Sequence, residues 1–133
     1  MSAENVDVGR RLIDAFNRRD IDGIASLITL DFEWATAMGP IEGGEVLRGR
    51  EGMETYVGRL DDAWEDYRVV AYEFRDLGDI LLTLGRVLAH GRGSGVPVET
   101  PVGFVGEYRD GKVSRLRSSL DQGEALREAG LTG

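Results

Sequence analysis

Asp121 is the carboxylate in this sequence best placed to do chemistry. It stands where a strand-like run ending Leu116-Arg117-Ser118-Ser119-Leu120 gives way to a helix-like segment. Apolar neighbours such as Leu116 and Leu120 desolvate a carboxyl, and desolvation favours the protonated form that an acid or base working near neutrality needs. The same residue opens Asp121-Gln122-Gly123-Glu124, the spacing of a capping box. There the Asp side chain accepts from helix N–H groups while the Glu reaches back. A carboxylate held by N–H donors is kept charged, so the two roles compete. Ser118 shares the Leu116 and Leu120 face and is a polar pocket group, but no adjacent base makes it a nucleophile. His90, the only histidine, is the pH-sensitive type. Alternation places it with Leu84, Arg86 and Leu88, opposite Thr83, Gly85 and Val87. The run Gly91-Arg92-Gly93-Ser94-Gly95 joins two strands and precedes no helix, so it reads as a hairpin and lacks P-loop geometry.

Composition narrows the chemistry further. The 133 residues fit one domain over 1–133 with a sizeable core. The formal net charge of −8 argues against nucleic acid or an anionic membrane as partner, because both require a basic face. The absence of cysteine excludes disulfides and thiolate metal sites, and one histidine argues against a histidine-rich metal centre. No metal and no organic cofactor is implied. No signal peptide or run of membrane-spanning length is visible, so the cytoplasm is the expected location.

The elements that position these residues follow from periodicity. Residues 4–19 read as an amphipathic helix with Val8, Leu12, Ala15 and Phe16 on one face. Asp20 is placed to cap a short helix over 21–28. A strand covers Phe32–Ala37, and a third helix covers about 50–63 with Met53, Tyr56, Val57 and Leu60 in one stripe. Four strands follow at 67–76, 79–91, 96–108 and 113–120. Their short links imply antiparallel neighbours, and Asp110-Gly111 is a strong hairpin signal. A last helix spans about 122–129. Helices first and a meander after make an α+β chain whose curved, mostly antiparallel sheet wraps the N-terminal helices. The concave side is where a small ligand would bind.

Four signatures occur in order: Phe16-Asn17-Arg18-Arg19-Asp20, Asp31-Phe32-Glu33-Trp34, Leu47-Arg48-Gly49-Arg50-Glu51-Gly52, and the Asp110-Gly111-Lys112 hairpin leading to Asp121. Together they resemble the SnoaL-like branch of the nuclear transport factor 2-like superfamily. The resemblance implies a cystatin-like cone with a pocket, on a scaffold that serves many chemistries. It also shows departures. Thr36 stands where ketosteroid isomerases carry their general-base Asp, Gly103 where their oxyanion-hole acid lies, and Phe16 nearest their first-helix Tyr. Against the limonene epoxide hydrolase pattern, Gly85 and Val87 replace Arg and Asp, Trp34 and Thr36 replace Tyr and Asn, and Asp121 matches. Cyclases of the SnoaL type need little beyond an acid/base Asp in an apolar pocket.

The expected pocket therefore combines Phe16, Trp34, Thr36, Met38, Tyr56, Leu60, Thr83, Val87, Gly103, Leu116, Ser118 and Leu120, with Asp121 as candidate acid or base. It would hold a small hydrophobic or cyclic metabolite, with isomerisation, cyclisation or hydrolysis as the accompanying chemistry. The competing reading is a non-catalytic ligand-binding or dimerisation module. Val102 and Phe104 fall on the side assigned outward, which suggests a homodimer through the sheets.

Overall fold

The computed structural model describes residues 2–35 and 46–130. Among them the chain order is α1 (Ser2–Asn17), α2 (Ile21–Leu27), β1 (Ile28–Ala35), β2 (Val46–Arg48), α3 (Gly49–Ala63), β3 (Trp64–Asp76), β4 (Ile80–Gly91), β5 (Pro97–Arg109), β6 (Lys112–Ser119) and α4 (Gln122–Glu128). The strands form one sheet in the order β2-β1-β6-β5-β4-β3. The β1–β6 pair is parallel and the others are antiparallel, so the sheet is mixed. This is the expected α+β arrangement, with the N-terminal helices packed on one face of the sheet.

Local chemistry sets most element ends. Helix α1 stops in a Schellman motif. Arg19 takes φ 57°, its N–H donates to the Phe16 carbonyl, and the Asp20 N–H donates to the Ala15 carbonyl. Asp20 then caps α2, its side chain accepting from Gly23 N–H at 2.9 Å. Asn17 acts as a substitute strand partner. Its amide donates to the Val69 carbonyl at 2.8 Å, and its oxygen accepts from Val69 N–H at 2.9 Å, which locks α1 to β3. The β5–β6 turn holds Asp110 at φ 54° and Gly111 at φ 78°. Two positive φ values in succession are the geometry that Asp-Gly favours.

Two elements depart from expectation. β1 begins at Ile28 rather than at residue 32, and β2 was not anticipated. With three residues and only Leu47 buried, β2 is too short to display a period.

Helices pack on both faces of the sheet, and this corrects the facing of β5. Phe32, Trp34, Val87 and Val102 join the helices α1, α2 and α3 in the main core. On the other face α4 lays Ala125 against Leu82, Leu84 and Val105. Cross-strand partners share a face. Phe104 pairs with Thr83 and Ser118, while Gly103 pairs with Leu84. Val102 and Phe104 therefore point to the concave side, not outward, and Gly103 points to α4. A Cβ on Gly103 would lie 2.5 Å from the Ala125 Cβ. A one-residue offset in facing inverts a whole strand, and that offset separates the expected from the observed facing of β5.

Candidate ligand-binding cavity

The concave face of the sheet and helices α1 and α3 enclose a cavity. Its volume is about 70 Å³, where a single water needs roughly 10–15 Å³. Helix α1 contributes Gly9, Leu12, Ile13 and Phe16, and α3 contributes Met53 and Tyr56. β1 adds Phe32 and Trp34, β3 adds Tyr67 and Val69, and β4 adds Thr83. Val102, Phe104 and Tyr108 come from β5, and Leu116, Ser118 and Leu120 from β6 and the residue just past it.

Of the residues singled out from sequence, Phe16, Trp34, Tyr56, Thr83, Leu116, Ser118 and Leu120 meet in this wall. Leu60 and Val87 are buried in the same core without lining the cavity. Gly103 faces away from it, for the pairing reason given above. Thr36 and Met38 lie outside the described residues. His90 is exposed, with its Nδ1 3.8 Å from an Asp66 carboxylate oxygen.

Tyr67 and Tyr108 were missed by sequence reading. Tyr108 shares the β5 facing that had been inverted. Tyr67 follows Asp66, whose φ of 56° bulges β3 just after α3, so simple alternation fails there.

The aromatic side chains brace one another edge to face. Trp34 lies 4.4 Å from Tyr56 and 6.4 Å from Phe16 between ring centroids, and Phe16 lies 6.2 Å from Tyr67. Such contacts hold rings in fixed orientations at the cost of little flexibility. Trp34 Nε1 donates to Ser118 Oγ at 2.7 Å, across the parallel β1–β6 pair. Burial pushes the Tyr67 hydroxyl pKa up, while its hydrogen bond with Tyr56 and the Arg19 charge pull the other way. Burial, with a smaller contribution from the Asp76 charge, pushes Tyr108 up as well. Both shifts keep these hydroxyls in the neutral, hydrogen-bonding form.

No Asp, Glu, Lys, Arg or His is among the described residues of the wall. Nor do the described residues contain a group of three or more His, Cys, Asp or Glu that could hold a metal ion. Asp121 is exposed and does not line the cavity. Its Oδ1 accepts from Gly123 N–H at 2.9 Å and Glu124 N–H at 3.3 Å, capping α4. The reciprocal bond expected of Glu124 is supplied by Ser119, whose Oγ accepts from Asp121 N–H at 3.1 Å.

No helix among the described residues is long and apolar enough to cross a membrane. No curated protein matches the chain in sequence. Solved structures do match it. A nuclear transport factor 2-like protein of Burkholderia pseudomallei shares 21% identity, with 93% of this chain and 95% of that one covered and a TM-score of 0.78. TerC, co-crystallised with polyporic acid, shares 24% identity over 94% and 96% of the two chains, with a TM-score of 0.78. A putative SnoaL-like polyketide cyclase of Jannaschia sp. CCS1 shares 20% identity over 88% and 85%, with a TM-score of 0.75. At such identities the likeness establishes the cone fold and nothing about the reaction. In sequence the SnoaL-like domain matches residues 9–116, and the chain belongs to that family.

Proposed function

We propose that this chain binds a small, neutral, largely apolar cyclic molecule in the cavity between α1, α3 and the concave sheet face. The observation that carries this reading is the wall itself: aromatic and aliphatic side chains, interrupted only by hydroxyls and one indole N–H, without a charged side chain among its described residues. Such a site gains affinity from apolar burial and direction from a few polar groups. Asp121 serves here as a structural cap, because its carboxylate already accepts from two helix N–H groups. On that reading the chain binds its ligand without acid/base chemistry from this residue.

The test is a thermal-shift screen against terpenes, steroids, polyketide fragments and aromatic acids. A ligand that binds only the native state raises the midpoint by mass action. The expected result is a reproducible shift with neutral cyclic compounds that is lost in a folded Trp34→Ala variant. A wild-type protein that responds to none of them would overturn the proposal.

A homodimer through the outer sheet face is a second proposal. It is supported by Val70 and Tyr72 of β3, 46% and 56% exposed on the side away from the cavity. Light scattering of the purified chain tests it, and a monomer at micromolar concentration removes it.

A further inference from the structure

The bond between Trp34 and Ser118 leaves Ser118 with a defined role toward a ligand. An indole N–H can only donate, so Ser118 Oγ is the acceptor in the 2.7 Å contact. A serine hydroxyl carries one hydrogen and two acceptor lone pairs. Trp34 occupies a lone pair and cannot take the hydrogen. That hydrogen has no acceptor among the described residues. Ser118 lines the cavity, and its cross-strand partner Phe104 lines it too, so the hydroxyl sits in an apolar wall. Accepting from Trp34 polarises the Ser118 O–H and makes it a better donor. Trp34 is itself braced by Phe16 and Tyr56, which fixes the direction of its N–H.

We infer that Ser118 is a specificity-determining donor that reads a carbonyl oxygen on the ligand. The cavity thus selects a cyclic ketone over the hydrocarbon of the same shape. This deepens the proposed function and rests on it, since a chain that takes no neutral cyclic ligand has nothing for Ser118 to read.

The test compares 1-tetralone with tetralin, two bicyclic molecules that differ by one carbonyl, by titration calorimetry on the full chain. A neutral hydrogen bond of this kind corresponds to about a three- to tenfold preference. The wild type is expected to favour the ketone by that factor, and Ser118→Ala to lose or reverse that preference, because the buried carbonyl then has no donor. Ser118→Ala leaves the Trp34 N–H unpaired. Should it fold poorly, the double variant Trp34→Phe/Ser118→Ala removes both partners and keeps the aromatic wall. The Trp34 indole N–H resonance supplies a second readout, and it should move further with tetralone than with tetralin. Equal wild-type affinity for the two compounds, or a ketone preference that survives Ser118→Ala, overturns the inference and leaves the binding proposal standing. Failure of the wild type to bind either, together with a silent thermal screen, overturns both.

Discussion

The side-chain amide of Gln122 donates to the Tyr72 hydroxyl at 2.7 Å, and its nitrogen also lies 3.1 Å from the Gly85 carbonyl and 3.2 Å from the Val102 carbonyl. One residue in the first turn of α4 thereby ties that helix to β3, β4 and β5. Val102 lines the cavity on the other side of the sheet, so the tie also steadies the wall. Gln122→Ala should cost about 1–2 kcal/mol in urea unfolding, because partly buried acceptors lose their donor. Hydrogen exchange should rise first in α4. An unchanged midpoint with unchanged α4 protection would show that Gln122 holds nothing.

The cap at Asp121 makes a different prediction. Asp121→Ala should destabilise by about 1 kcal/mol, whereas Asp121→Asn should cost much less, since Asn caps almost as well. Neither change should alter ligand affinity by more than about twofold, as Asp121 is outside the cavity wall. Turnover of any discovered substrate that vanished in Asp121→Asn would restore the acid/base role.

Gly103 is constrained by its neighbour on α4. A side chain there meets the Ala125 Cβ at 2.5 Å, and Ala125 is buried. Gly103→Val should cost about 1–3 kcal/mol by overpacking. The paired change Gly103→Ala with Ala125→Gly should recover part of what Gly103→Ala alone loses. Denaturant curves of the three variants decide this, and additive losses would place the strain elsewhere.

Alkaline pH should weaken the fold through Tyr67 and Tyr108. Burial is the leading cause that raises both hydroxyl pKa values. An unfolded tyrosine ionises near a pH of roughly 10. Above that point the unfolded chain has released protons that the folded chain still holds. Stability is therefore fully present below that pH and falls as pH rises through the folded values. Lysine, the other type that titrates in this window, occurs once in the sequence. Urea midpoints at pH 8 and 11 should differ more in wild type than in Tyr108→Phe, and less still in the Tyr67→Phe/Tyr108→Phe pair. Identical slopes would contradict the burial argument.

Features that depend on a few neighbouring residues were legible in the sequence. The Asp110-Gly111 turn follows from the backbone freedom of those two positions. The caps at Asp20 and Asp121 follow from short polar side chains placed just ahead of helical segments. The helix stripes through Phe16 and Tyr56, and the strand face through Leu116, Ser118 and Leu120, follow from period alone. The four ordered signatures carried the family, and the matched domain over residues 9–116 agrees with them.

What the sequence determined by itself was thus the local geometry, the α+β class and the sets of side chains that share a face. Tertiary structure alone decided which set turns inward on β5. Residues 80–84 of β4 are buried or half-buried on both sides because α4 covers the face opposite the cavity, so burial preference could not break the tie between two registers. The same holds for the bond from Trp34 to Ser118, whose partners lie 84 positions apart. Alternation puts each in its own strand's pattern, and only the parallel pairing of β1 with β6 brings the indole N–H to the hydroxyl.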